Sequence, residues 1–275
     1  MSIGERHLGL TTPSETGRLG ATIAEFGNVV AGSVDLHRLK ALATSAPEFE
    51  FNAPPETQLA HDGLRIGIAQ DVSFGFYYPD DLEAFRAHGA TLVPFDTTSS
   101  STLPDIDGLF IGGGFPEIAM DALGANRDLR DDIKSKIEAG LPTYAECGGL
   151  MYLCRSLKWD ERSSPMCGVI DADAIMNARP QGRGYTGFDQ GPDHPWGLAK
   201  SGLRAHEFHH ARIDGLPRTT TYARSITRGH GLDGKNDGVV IHNLLAGFIH
   251  LRNCRSTPWV TGFLDFVATK KYAKK

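Results

Sequence analysis

Apolar positions follow two rhythms along this 275-residue chain. Near the start, Leu19, Ile23, Phe26 and Val30 recur at helical spacing and predict an α-helix. Thr12-Pro13-Ser14-Glu15 ahead of them reads as a capping box, with Thr12 at the N-cap and Pro13 at the first helical position. A second helix is predicted over 35–43, with Leu36 and Leu39 turned inward. Pro47, Pro54 and Pro55 then punctuate a polar linker that runs to about His61. From Leu64 the rhythm changes. Short apolar runs at 64–69, 91–95, 108–111 and 142–145 have strand length. Helices are predicted between them over 80–88, ended by Gly89, and over 127–138, ended by Gly140. Strands alternating with helices predict an α/β fold, a mainly parallel sheet flanked by helices, behind a short helical N-terminal extension. The expected division is 1–61 for the extension and linker and 62–275 for the main domain. Beyond Gly168 the pattern turns β-rich and glycine-rich, with a late helix over 258–270.

Composition narrows the classes. Twenty-eight basic against 33 acidic residues leave a net charge of −5, which argues against nucleic-acid binding driven by overall charge. No apolar run is long enough for a membrane-spanning helix, so no membrane partner is expected. The first residues, MSIGERHLGL, lack a signal-peptide pattern. The four cysteines, Cys147, Cys154, Cys167 and Cys254, form no C-x-x-C pair, so no structural metal site is expected. They are expected as reduced thiols in a cytoplasmic protein.

Three places could carry chemistry. Cys147 follows a predicted strand within Ala145-Glu146-Cys147-Gly148-Gly149 and precedes a helix predicted from Leu150. This is the cysteine counterpart of a nucleophile elbow, where small flanking residues permit a sharp strand-to-helix turn and a helix N-terminus favours a thiolate. A buried cysteine in an ordinary βα turn is the competing reading. Gly112-Gly113-Gly114 ends another strand of the same sheet, and its N–H groups could approach an oxyanion with no Cβ in the way; a plain glycine turn is the alternative. Among 11 histidines, His250 closes the apolar run Gly247-Phe248-Ile249, as a strand-end base or a core histidine would. His206-Glu207-Phe208-His209-His210 matches the H-E-x-x-H zinc signature, but that motif needs a helix, and Gly202, Gly215 and Pro217 crowd it. Read as a strand, it puts His206, Phe208 and His210 on one face, and His206 and His210 are not expected to bind metal.

Taken together, several segments resemble the class I glutamine amidotransferase domains of the cobyrinic/cobyric acid branch, as found in cobyrinic acid a,c-diamide synthases. They are Phe76-Tyr77-Tyr78-Pro79, Gly112 to Glu117, Ala145 to Leu153, Met166 to Val169, Gly184-Tyr185, His206 to His209 and Phe248-Ile249-His250. The resemblance implies that Cys147 is the nucleophile and His250 its activating histidine. It implies an oxyanion hole from N–H groups near Gly113, Gly114 and Gly148, and acceptor-side roles for Tyr77, Tyr78 and Glu207. Members of the branch hydrolyse glutamine and deliver ammonia to tetrapyrrole carboxylates that ATP activates. Another tetrapyrrole acceptor, such as siroheme or sirohydrochlorin, and a non-catalytic binding fragment are the alternatives.

Glu5 to Leu10 resembles the segment that closes the family's synthetase domain, so residues 1–61 read as the end of that domain plus a linker. No G-x-x-x-x-G-K-[ST] occurs in the chain. ATP and magnesium are therefore expected in a P-loop synthetase domain or chain, with no cofactor bound by this one. Class I triads usually place a Glu two residues after the histidine, where Arg252 stands. The group that orients His250 is left open.

Overall fold

The computed structural model describes residues 19–49, 61–197 and 200–273. The chain divides into two compact units, Met1–Thr57 and Gln58–Lys275. The first holds α1 (Leu19–Ser33) and α2 (Leu36–Thr44). Asp35 caps α2, accepting a hydrogen bond from the Arg38 N–H at 2.9 Å. Leu36 and Leu39, expected to turn inward, are exposed: α2 buries no residue. The capping box at Thr12 to Glu15 and the segment from Glu5 to Leu10 lie outside the described residues.

The second unit opens with β1 (Arg65–Ala69), β2 (Phe74–Phe76), α3 (Pro79–Ala87), β3 (Thr91–Phe95), β4 (Gly108–Ile111) and β5 (Gly113–Gly114). Next come α4 (Met120–Ala125), α5 (Arg127–Glu138), β6 (Thr143–Glu146) and α6 (Gly148–Leu153). The β-rich half contains β7 (Cys154–Trp159), β8 (Arg162–Pro165), β9 (Ile170–Met176), β10 (Gly182–Gln190), β11 (Lys200–His209) and β12 (Ala211–Asp214). The chain closes with β13 (Thr221–Arg228), β14 (Asn236–Ile241), β15 (Leu244–Gly247) and α7 (Trp259–Tyr272).

A nine-stranded sheet in the order β11-β10-β13-β14-β15-β6-β4-β1-β3 organises this unit. From β15 to β3 all neighbours are parallel, so the four strands expected to share one sheet do so. From β11 to β15 the neighbours are antiparallel, which makes the sheet mixed. A second sheet, β12-β9-β7-β8, and a small β2–β5 ribbon complete it.

Side-chain alternation feeds a core on each face. Phe110, Tyr144 and Leu245 join one core with Phe85 of α3 and Trp259, Phe263, Leu264 and Val267 of α7. Leu109, Ile111, Ala145, Leu244 and Ala246 join the other with Leu129, Ile133 and Ile137 of α5 and Leu150 of α6. The spacing of Leu129, Ile133 and Ile137 makes α5 a one-faced helix, which a left-handed Gly140 (φ +91) ends. Parallel strands β4, β6 and β15 therefore end on one edge, the usual place for a ligand site in such sheets. Among the described residues no helix is long and apolar enough to cross a membrane.

Candidate active site

Cys147 sits where β6, buried along its whole length, stops at that edge. Its backbone is left-handed, φ 49 and ψ −101, a conformation shared by few non-glycine residues. Two hydrogen bonds pin this elbow: the Cys147 N–H donates to the Gly247 carbonyl at 2.8 Å, and its carbonyl accepts from the Met151 N–H at 3.1 Å. Helix α6 starts at Gly148, two residues before the predicted start, so Cys147 stands directly at its N-cap. The other buried thiols are poorer nucleophiles. Burial pushes Cys154 well up and Cys167 to about 12.

The glycines beside it serve close approach rather than left-handed backbone. A Cβ on Gly114 would fall 1.8 Å from the Ser73 carbonyl oxygen, and one on Gly113 would fall 2.7 Å from the His250 ring. Gly113 and Gly114 form β5, held against β2, while the Gly149 N–H donates to the Gly112 carbonyl at 3.2 Å. The glycine run is thereby locked beside the start of α6.

His250 arrives from the neighbouring strand β15, three residues past Gly247, which pairs with Glu146. Its N–H donates to the His206 carbonyl at 2.8 Å, and the His206 N–H returns a bond of 3.3 Å. Cys147 and Glu146 both act on its ring. Nδ1 lies 3.4 Å from Glu146 Oε2. The other oxygen, Oε1, accepts from the Tyr144 hydroxyl at 2.6 Å and from the Leu251 N–H at 2.8 Å, so both carboxylate oxygens are fixed. Burial alone would lower the His250 pKa. Hydrogen bonds and charge from Cys147 and Glu146 outweigh it and push the value up to about 10, which favours the imidazolium at neutral pH.

Glu146 is the group that the sequence left open. Its signal was a carboxylate at the buried end of an otherwise apolar strand, one residue before the candidate nucleophile. Arg252, in the position expected for the acid, instead pairs with Asp80 at 2.8 Å.

Residues 65–256 match the family model of the CobB/CobQ-like glutamine amidotransferase domain. The chain belongs to this family. Among curated CobB/CobQ-like relatives, the cobyrinate a,c-diamide synthase of Magnetococcus marinus is 37% identical over 263 residues, covering 94% of this chain and 56% of that protein. The enzyme of the same name from Listeria monocytogenes is 34% identical, covering 95% and 58%. The chain thus spans somewhat more than half the length of these relatives. PurLQS of Thermotoga maritima shares the fold at 14% identity and a TM-score of 0.55, over 76% of this chain and 99% of that one.

The remaining candidates occupy different places in this CobB/CobQ-like domain. Tyr77 is held by backbone, its hydroxyl donating to the Ala69 carbonyl and accepting from the Gly112 N–H. Glu207 is buried as a clamp that accepts from the His230 and Gly231 N–H groups at 2.7 and 2.8 Å. Burial would raise its pKa, but these bonds and His209 hold the carboxyl below its ordinary range. Of the three acceptor-side candidates, only Tyr78 lines the cavity of about 810 Å³ that opens beside His250. The H-E-x-x-H segment runs along the end of β11, with His210 one residue past it, so these residues form a strand where the zinc reading requires a helix. His206 faces the same cavity, while Glu207 and His209 are buried.

Proposed function

We propose that this domain hydrolyses glutamine at Cys147, with His250 and Glu146, and supplies ammonia for ATP-dependent amidation of the carboxylates of cobyrinate. The observation that carries the reading is a left-handed cysteine at a strand-to-helix elbow, beside a histidine held by a fully engaged carboxylate. Cys147 Sγ attacks the side-chain carboxamide carbon of glutamine and forms a C–S bond. The tetrahedral oxyanion is received by N–H groups near Gly113, Gly114 and Gly148. His250 gives its proton to the departing nitrogen, the C–N bond breaks and ammonia leaves. Water then attacks the γ-glutamyl thioester, passing a proton to His250, and glutamate departs as the thiolate returns. Glu146 orients the imidazole and stabilises its positive charge throughout.

The acceptor is the one named for the cobyrinate a,c-diamide synthases that this chain resembles. Its activation as an acyl phosphate requires ATP and magnesium at a P-loop synthetase domain or chain, the partner of this one. The exposed apolar side chains of α1 and α2, Ile23, Val29, Val30, Leu39 and Leu42, suit burial against that partner. The test is steady-state glutamine hydrolysis with labelling by an electrophilic glutamine analogue. Cys147→Ser abolishes turnover while the fold persists, and the analogue labels Cys147 alone. His250→Ala lowers kcat by about 10²–10⁴. Labelling at Cys154 or Cys167 would refute the assignment.

A further inference from the structure

The cavity beside His250 carries charge that the hydrolysis of glutamine does not use. Three neighbouring strands meet in one cross-strand row: Arg204 on β11 pairs with Gly187 on β10, which pairs with Arg228 on β13. Directly paired residues share a face of a sheet, so the two arginines stand on the same side. Two strand spacings separate them by about 10 Å; the glycine between them adds no side chain of its own, and the Thr227 hydroxyl, at a bulge of β13, lies beside it. Both line the cavity. The next row on this face is Tyr185 paired with His206, and His206 bridges to His250. The face therefore leads from the arginines, past a tyrosine ring that is 78% exposed, to the catalytic histidine.

Arg252 also lines the cavity, but Asp80 neutralises it. Among the described residues neither Arg204 nor Arg228 has a carboxylate partner. Two such guanidinium groups lining one cavity, on a chain of net negative charge, are suited to an anionic ligand. The spacing suits two carboxylates of one wide molecule. Glutamine brings a single α-carboxylate, and Cys147, which must contact it, does not line this cavity. An exposed aromatic face beside the arginines suits a broad, partly apolar ring system.

The geometry points to a binding site for the acceptor on the amidotransferase domain itself. Arg204 and Arg228 hold carboxylates of the polycarboxylate macrocycle, and Tyr185 lies against its rim. The inference rests on the acceptor proposed above and goes beyond it by giving that acceptor residues on this chain. Ammonia released beside His250 would then emerge next to the molecule that consumes it.

The test is an absorbance titration of the chain with cobyrinate and with its fully esterified, uncharged form, alongside glutamine kinetics. Cobyrinate binds, added salt weakens it, and the ester binds at least about tenfold more weakly. Arg204→Gln and Arg228→Gln each lower cobyrinate affinity about tenfold, the loss of a charge-assisted hydrogen bond. Arg218→Gln, which removes the same charge from an exposed site outside the cavity, leaves affinity unchanged. Thermal melts followed by circular dichroism establish that each variant is folded. Equal affinity for acid and ester, no binding by the unaltered chain, or an Arg204→Gln/Arg228→Gln double variant that binds cobyrinate normally would overturn the inference. In the last case a raised glutamine KM would assign the cavity to glutamine. An unaltered chain that binds cobyrinate but hydrolyses no glutamine would refute the proposed hydrolysis and leave the arginine site standing.

Discussion

Glu146 and Cys147 are neighbours in the chain with different tasks on one histidine. Cys147 leaves the strand in a left-handed turn, while Glu146 ends it with both oxygens engaged. Replacing the carboxylate by an amide, Glu146→Gln, keeps the shape and removes the charge. The pKa of His250, held up to about 10 by Cys147 and Glu146 together, then falls by the share that Glu146 supplies, read by NMR titration of the imidazole. Glutamine turnover falls by about 10²-fold, within the usual range for a general acid or base deprived of its support. Stability follows with a definite sign. A histidine whose folded pKa is raised contributes stability that is complete below its unfolded value near 6.5 and is lost as pH rises through about 10. Denaturation of the unaltered domain at pH 6 and pH 10 shows this loss, and Glu146→Gln shrinks it. A variant with unchanged His250 titration would mean that Glu146 does not set the proton affinity.

At the scale of elements, the β2–β5 ribbon is the tightest part of the site. Gly114→Ala would drive a methyl into the Ser73 carbonyl, and Ser73 also accepts from the Phe115 N–H at 2.7 Å. The variant loses at least about 1–3 kcal/mol in urea denaturation, together with glutamine hydrolysis, because backbone cannot yield as a side-chain end can. This ribbon was invisible in the sequence, because a two-residue strand carries no period to read. By contrast α5, β3 and β4 were legible to the residue: α5 has helical spacing and a glycine just past its end, and β3 and β4 are short apolar runs with glycines close by. The antiparallel half was legible only as β-rich. Its strands mix exposed and buried positions irregularly, and β10 carries a register shift against each neighbour. The site followed the same logic. Cys147 could be read because its turn is local in the chain. The pairing of Glu146 with His250 depends on β6 lying beside β15, a long-range register that no local pattern encodes. Tyr77 and Glu207, given acceptor-side roles by resemblance, spend their polar atoms on backbone groups instead.

At the scale of the whole second unit, a buried ion pair in the antiparallel half reaches across to a tyrosine of the parallel half. Arg224 of β13 meets Asp237 of β14 at 3.1 Å, both side chains fully buried, and extends to the Tyr144 hydroxyl at 3.4 Å. Asp237 in turn accepts from the Phe248 N–H at 2.9 Å. Asp237→Ala leaves a buried guanidinium without its carboxylate and costs about 3–5 kcal/mol in denaturant unfolding, whereas replacing both partners by apolar residues of similar volume costs far less. The tyrosine at the end of this pair is also the donor to Glu146, so the same contacts that link the halves steady the carboxylate beside His250. One consequence concerns time rather than energy. The proposed nucleophile and base follow adjacent central strands stitched at Leu245 to Tyr144, Ala246 to Ala145 and Gly247 to Glu146. Such interior ladders open only when the whole cooperative unit does. In native-state deuterium exchange the Cys147 amide, which donates to Gly247, should be among the slowest in the chain. Heating should then silence glutamine hydrolysis close to the temperature where the domain melts, because the two strands that present these residues part only there.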